Sequence, residues 1–169
     1  MTSEAPMPKP DFMPASFTGD VGWVLVPYNN QMWKVAPSYI APVGIAEAEQ
    51  IAQDNDCELP VPGLVDAIWR AADLKVAPLP RQHDGTPQTM ASQATFDDQY
   101  RRIQAEIAGR PYKLLAGTHK DVVRDPATGK LGLYGWHQLN GAPIQPLFTG
   151  HSGAWIDYSQ GVRLVKRAT

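Results

Sequence analysis

Cys57 is the residue whose chemistry stands out first, because it is the only cysteine in the chain. It precedes a proline-bounded turn that leads into a helix predicted to begin near Pro62. A helix N-terminus presents unpaired N–H groups and a partial positive charge, and both favour a thiolate. The position therefore suits the nucleophile of an amide hydrolase. The acidic neighbours Asp56 and Glu58 oppose thiolate formation, so an inert, buried thiol is the alternative.

Two histidines in the last third of the chain could supply the base that such a nucleophile needs. His137 ends the run Tyr-Gly-Trp-His, and His151 begins a probable strand. That strand places Asp157 and Ser159 on one face, two residues apart. A carboxylate can orient a nearby imidazole, so the predicted catalytic residues are Cys57, His137, His151 and Asp157. Alternatively both histidines are structural, one in the core and one in a turn, and the two polar residues face solvent or cap the backbone.

Further polar and aromatic side chains of the C-terminal third are candidates for contact with a substrate. The segment Thr-His-Lys-Asp at 118–121 precedes two valines and is typical either of a strand mouth or of a solvated turn. The predicted substrate-binding residues are Lys120, Trp136, Gln145 and Ser159.

A metal site is the second chemical hypothesis. Two imidazoles and a carboxylate, from His137, His151 and Asp157, would suit zinc with an open coordination position. Their spacing matches no H-E-x-x-H-type motif, so we predict no metal and no cofactor and keep zinc as the alternative. The sequence also lacks a P-loop, a G-x-G-x-x-G motif and a G-x-S-x-G elbow, so nothing supports nucleotide or serine-hydrolase chemistry.

Composition excludes several classes of protein. The chain has 169 residues, enough for one ordinary domain, and a net charge of −2, without the basic excess of a nucleic-acid binder. One cysteine permits no internal disulfide and no thiolate-rich metal site. No apolar run approaches the roughly 20 residues that span a bilayer, and the N-terminus lacks the order of a signal peptide. We expect synthesis in the cytoplasm, no nucleic-acid partner, no membrane span, and action at the cell wall only after release by another route.

The N-terminal elements are an arm and a hairpin. Residues 1–16 contain four prolines and are predicted to be an extended arm, which leaves 17–169 as a single domain. Strand patterns over 21–26 and 31–36 flank turn residues at 27–30 and predict the hairpin.

Helical periodicity fills the middle of the chain. It predicts one helix over about 44–54 and a second that starts near Pro62. The polar stretch 81–94 is predicted to be a surface loop. Thr95 is then the predicted N-cap of a third helix, with Asp98 completing a capping box.

Strand patterns dominate the rest of the chain, over 112–116, 121–124, 130–139, 142–148, 155–158 and 162–166. Asn140-Gly141 predicts a two-residue hairpin turn that would pair His137 with Ile144 and Trp136 with Gln145. The order of elements predicts an α+β fold, with about three helices packed on a mainly antiparallel sheet.

The C-terminal stretch resembles an uncharacterised bacterial family. The family pattern includes G-H-K-K-D-V-V, I-Y-G-W-H, G-x-P-I-Q-P-L, a lone histidine and D-Y-S-H-G-V-R-L-V, with C-x-L-P-T and V-D-A-I earlier. This sequence carries T-H-K-D-V-V, L-Y-G-W-H, G-A-P-I-Q-P-L, His151 and D-Y-S-Q-G-V-R-L-V over 118–165, after C-E-L-P and V-D-A-I. Thr118 and Gln160 stand where the family has histidines. The matching polar positions are Cys57, Lys120, Asp121, His137, Gln145, His151, Asp157, Ser159 and Arg163.

A cysteine at a helix start followed by a histidine-bearing sheet is also similar in layout to the NlpC/P60 cell-wall peptidases, although their D-C-S-G signature is absent. Three functions stay open. The first is a phage-lysin-like cysteine hydrolase of amide bonds, with peptidoglycan or a peptide as substrate. The second is a metal-dependent hydrolase. The third is a module that binds cell-wall sugar or peptide through its tryptophans and tyrosines.

Overall fold

Residues 22–168 are described by a computed structural model and form an α+β fold in which helices pack against short, mainly antiparallel strands. The predicted class is confirmed, whereas the predicted arm over 1–16 lies outside the described residues. The helices of this range are α1 (Ile45–Asp54), α2 (Pro62–Ala71), α3 (Pro87–Met90) and α4 (Gln93–Ile107). The strands are β1 (Val24–Tyr28), β2 (Gln31–Val35), β3 (Leu74–Lys75), β4 (Leu115–Ala116), β5 (Lys120–Arg124), β6 (Leu131–His137), β7 (Pro143–Phe148), β8 (Gln160–Gly161) and β9 (Val165–Arg167).

The strands of the described range are divided among three small sheets rather than joined in one. β1, β2 and β9 form an antiparallel sheet, and β3 and β4 form a parallel pair. The largest sheet has the order β7-β6-β5-β8, with β5 and β8 parallel. It carries Lys120 on β5, Trp136 and His137 at the end of β6, and Gln145 on β7, so it positions four of the eight candidate residues.

The first hairpin turns two residues later than predicted. Asn29 and Asn30 have φ values of 54° and 63°, the left-handed conformation that a tight two-residue turn requires. Pro27 is part of β1 instead of the turn and pairs with Met32. Proline has no N–H, and it is tolerated there because β1 is an edge strand. Along an edge strand, the N–H groups of alternate residues point away from the sheet and need no partner in it.

The first two helices confirm the periodicity argument. α1 begins at Ile45, and α2 begins with Pro62 in its first turn, where a missing N–H costs nothing. Leu64, Val65, Ala67 and Ile68 form the buried face of α2. This face packs against side chains of β1, β2 and β9, which builds the core behind the largest sheet.

The start of the third predicted helix was wrong. Ser92 is the N-cap of α4, because its hydroxyl accepts a hydrogen bond from the Thr95 N–H at 3.2 Å. Thr95 itself lies buried in the first turn, and Asp98 pairs with Arg81 instead of closing a capping box. The predicted loop over 81–94 also contains the short helix α3.

The second hairpin has a different register from the prediction. The loop contains three residues, 139–141, instead of two. His137 therefore lies opposite Pro143 rather than Ile144. A shift of one residue exchanges the faces of a strand, so it changes which side chains can meet.

None of the helices within residues 22–168 is both long enough and apolar enough to cross a membrane.

Candidate functional site

Cys57 lies in the turn after α1 and is half-buried. Its Sγ donates a hydrogen bond to the main-chain oxygen of Asn55 at 3.3 Å. Burial raises the pKa of the thiol, and neighbouring carboxylates add to this effect although the Lys166 ammonium opposes it. These surroundings favour the neutral thiol, which is a poor nucleophile.

The two imidazoles predicted to act with Cys57 have other partners. His137 binds the carboxylate of Asp66, and His151 stacks on the ring of Trp155. Within residues 22–168 neither histidine forms a hydrogen bond with the sulfur. The structure therefore does not assemble the nucleophile–base pair that a cysteine hydrolase requires.

Four of the predicted polar residues do meet, in what we call the Lys120 centre: Lys120, Gln145, Asp157 and Ser159. The Lys120 Nζ lies 3.1 Å from Asp157 Oδ2 and 3.4 Å from Gln145 Oε1. The side chains of Lys120 and Asp157 are only 11% and 1% exposed. β5, β7 and the segment 155–159 each contribute to the centre, so tertiary folding alone brings it together.

Asp157 is the hub of this centre. Its Oδ1 accepts hydrogen bonds from the Ser159 N–H and hydroxyl, both at 2.7 Å. Its Oδ2 accepts from the Trp155 indole N–H at 3.1 Å as well as from Lys120. The predicted strand over 155–158 is wrong, because these local bonds fold the chain into a turn.

An aromatic rim borders the Lys120 centre. The His151 ring stacks on Trp155 with centroids 3.9 Å apart, and Phe148 meets His151 edge-on at 4.8 Å. Phe148 is 46% exposed, and its ring lies so close to Gly150 that a Cβ at that position would approach it to 2.5 Å. Burial, assisted by the Lys120 ammonium, lowers the pKa of His151, so this imidazole is uncharged at neutral pH.

A second cluster joins α2 to β6. Asp66 Oδ1 accepts hydrogen bonds from the Tyr134 hydroxyl at 2.7 Å and from His137 Nε2 at 2.8 Å. The Trp69 ring stacks near His137 with centroids 5.7 Å apart. Sequence reasoning missed Asp66, although it lies in the Val-Asp-Ala-Ile segment, because nothing in the linear pattern links α2 with β6.

A bulge in β6 creates this cluster. Residues three apart on a regular strand point to opposite faces, yet Tyr134 and His137 bind the same carboxylate oxygen. The register shifts between Leu133 and Gly135, and Trp136 has a φ of 59°. The bulge turns His137 to the side of Tyr134, whereas a regular strand would place it on the same face as Leu133.

Trp136, predicted to bind substrate, lies in the core. It is buried against Phe96 and Tyr158, with its ring edge-on to Tyr158 at 6.1 Å. This packing leaves it no surface to offer a ligand.

A buried ionisable network fills the space between β5 and the core. The Tyr39 hydroxyl donates to Asp121 Oδ1 at 2.7 Å, and the Arg163 guanidinium lies 4.3 Å over the Tyr39 ring. Burial raises the pKa of Asp121 to about 7 and lowers the pKa of His119 to about 3. Asp121 and Arg163 therefore both serve the interior of the fold.

The two shifted groups predict opposite pH dependence of stability. From pH about 4 to about 7 the native state holds a proton on Asp121 that the unfolded chain has lost, so this group makes stability fall as pH rises. From pH about 3 to about 6.5 the unfolded chain holds a proton on His119 that the native state lacks, so this group makes stability rise. Asp121→Asn removes the contribution of Asp121, which lowers stability as the pH rises, and leaves the contribution of His119 in place. The unfolding free energy of this variant, relative to the wild type, should therefore increase from pH 4 to pH 7 and then level off.

Urea denaturation at a series of pH values measures this difference. Asp54→Asn, at the exposed end of α1, is the matched control and should show no comparable trend. If the unfolding free energies of Asp121→Asn and of the wild type change in parallel with pH, the native pKa of Asp121 is not raised.

The zinc alternative finds no geometric support. Within residues 22–168 no three His, Cys, Asp or Glu side chains are grouped so that they could hold a metal ion. His137 lies at Asp66, whereas His151 and Asp157 lie at the Lys120 centre, so the three proposed ligands are divided between two places.

The fold and the candidate site together define an α+β domain that carries a buried lysine–aspartate pair beside an exposed aromatic surface. No protein-family model, curated protein or solved structure matches this chain at a significant level. The function must therefore be argued from the geometry of the site itself.

Proposed function

We propose that this protein is a carbohydrate-binding domain and that its ligand is a cell-wall glycan. The ligand lies across Phe148 and His151 and forms hydrogen bonds with the Lys120 centre. The observation that carries the proposal is the contact of a buried, hydrogen-bonded ion pair with an exposed aromatic rim.

The energetics of the Lys120 centre favour a functional role. Removing an ammonium and a carboxylate from water costs several kcal/mol per ion, and apolar residues of similar volume often stabilise a fold as well or better. Lys120 and Asp157 nevertheless occupy nearly buried positions. A centre that exists to hold a ligand accounts for this arrangement better than a centre that exists for stability.

The chemistry of the rim matches that of a sugar. A pyranose ring has an apolar face of C–H groups and an edge of hydroxyl groups. Phe148 supplies an exposed apolar surface for the face, and Lys120 and Gln145 supply polar atoms for the edge. A shallow surface of this kind suits an extended chain of sugars, as in the glycan strands of peptidoglycan.

The cysteine-hydrolase hypothesis is less well supported than binding. Cys57 donates to the main-chain oxygen of Asn55, and the predicted bases contact other residues. The proposal therefore keeps peptidoglycan as the partner and assigns recognition, rather than cleavage, to Lys120, Gln145, Asp157 and His151.

The test is binding to purified peptidoglycan sacculi in a pull-down and to N-acetylglucosamine oligomers by calorimetry. Phe148→Ala should weaken oligomer binding about tenfold or more, about 1.4 kcal/mol, because the apolar face of the sugar loses its partner. Leu25→Ala is the matched control, since Leu25 is 57% exposed on β1, outside the site. This control should bind like the wild type.

Two outcomes would overturn the proposal. The first is the absence of binding to both sacculi and oligomers. The second is that the wild type releases soluble fragments from the sacculi and that Cys57→Ser does not. That result would establish a thiol hydrolase instead.

A further inference from the structure

We propose that Asp157 makes this site selective for uncharged sugars by cancelling the charge of Lys120. The inference rests on the proposed carbohydrate-binding function and names the class of glycan that the site accepts. Neutral and N-acetylated sugars bind, and sugars that carry a carboxylate or phosphate at the contact point are rejected.

The hydrogen bonds of Lys120 leave room for one neutral partner. An ammonium group has three N–H donors. Within residues 22–168, Asp157 Oδ2 at 3.1 Å and Gln145 Oε1 at 3.4 Å take two of them. The third can donate to a hydroxyl or to an acetamido carbonyl oxygen, and both of these acceptors are uncharged.

The charges of the site sum to zero. Lys120 and Asp157 carry opposite charges and shield each other inside the protein, where Coulomb interactions are stronger than in water. Gln145 is uncharged, and the imidazole of His151 is neutral at neutral pH. The site therefore offers donors and aromatic surface, but no net positive charge to attract an anion.

An anionic sugar would also meet direct repulsion. An anion close enough to accept from Lys120 lies within a few ångströms of the Asp157 carboxylate, because the ammonium separates the two by only one hydrogen bond on each side. Asp157 cannot escape this repulsion by moving, since the Ser159 N–H, the Ser159 hydroxyl and the Trp155 indole hold its two oxygens in place.

The experiment compares a neutral oligosaccharide with an anionic one of equal length. The full chain is titrated by calorimetry with an N-acetylglucosamine tetramer and with a galacturonic acid tetramer, at about 50 mM and about 500 mM NaCl. We expect the neutral tetramer to bind with less than about a twofold change between the two salts, because screening acts on net charge. We expect no binding of the uronate tetramer at either salt.

Two variants test the role of the charge balance. Asp157→Asn leaves Lys120 uncompensated and should gain uronate binding that weakens about tenfold at the higher salt. Gln145→Lys adds a positive charge at a half-buried position on an edge strand, replaces none of the four donors to Asp157, and should show the same gain. Circular dichroism checks that each variant is folded. The comparison of the two tetramers on the wild type tests the selectivity without any variant.

The outcomes separate the two proposals. Wild-type binding of the uronate tetramer as tight as that of the neutral tetramer would overturn the selectivity and leave carbohydrate binding intact. Folded variants that gain no uronate binding would also overturn the role of Asp157. Failure of the wild type to bind any glycan, sacculi included, would overturn the proposed function.

Discussion

Arg163→Met should destabilise the protein by about 2–5 kcal/mol, because two buried main-chain acceptors lose their donors, at about 1–3 kcal/mol each, and the Tyr39 ring loses the cation above it. Arg163 is completely buried, and its guanidinium donates to the main-chain oxygens of Ala36 and Leu115. It also lies over the Tyr39 ring and close to the Asp121 carboxyl. Methionine fills a similar volume but satisfies none of these groups. Urea denaturation at neutral pH measures the loss of unfolding free energy.

A control variant separates the loss of these interactions from the effect of replacing any arginine side chain by methionine. Arg167→Met is the matched control, since Arg167 is 56% exposed and pairs with Glu58 at 3.6 Å, a contact worth at most about 1 kcal/mol. The double variant Arg163→Met with Asp121→Asn removes the carboxyl that must hold a proton in the native state at neutral pH and should recover part of the stability. A loss of under about 1 kcal/mol for Arg163→Met would contradict the assignment of Arg163 to the interior of the fold.

Six polar residues of the C-terminal third divide into two groups. Lys120, Gln145, Asp157 and Ser159 assemble in the Lys120 centre, whereas Asp121 and Arg163 stabilise the interior. Gln160 also has a structural role. Its amide donates to the main-chain oxygens of Val43 and Trp155.

The helices and the fold class were predictable because their information is local. The apolar positions of α1 and α2 repeat with the helical period, and Pro62 marks a helix start. The start of α4 was missed by three residues because Ser92 and Thr95 are both good N-caps by residue type. Only the contact of Ser92 with Thr95 decides between them.

The site was harder to predict because its determinants are not local. The motifs pointed to Lys120 and Asp157, but no pattern showed that Asp157 binds four donors instead of orienting an imidazole. Phe148 and Trp155 were read as ordinary strand residues, and their place around His151 depends on tertiary folding. The predicted pairing of His137 with Ile144 was wrong because the hairpin loop has three residues, and a bulge in β6 then directs its side chain to Asp66, which the alternating pattern of the sequence does not reveal.

Gly135→Ala tests whether that bulge positions His137. Gly135 has a φ of 113°, a conformation that alanine adopts only with strain, and a Cβ there would lie 3.3 Å from a methyl group of Val65 and 3.6 Å from the His137 ring. We expect a loss of about 1–3 kcal/mol in unfolding free energy from the strained backbone and the close contacts. We also expect the His137 imidazole signals in an NMR spectrum to shift, because relief of the positive φ and of the Val65 contact changes the bulge that directs this ring at Asp66.

Gly129→Ala is the matched control for this experiment. Gly129 also has a positive φ, of 77°, but a Cβ there would meet no atom within 4 Å. This variant has the backbone strain without the contacts, so it should lose stability and leave the His137 signals unchanged.

Unshifted His137 signals in Gly135→Ala would show that the bulge does not depend on this glycine. Equal losses of stability in the two variants would show that the packing of Val65 and His137 around the bulge adds nothing to the strain of the backbone. A larger loss with shifted signals, in Gly135→Ala alone, would establish that residue 135 must lack a side chain for Asp66 and His137 to meet.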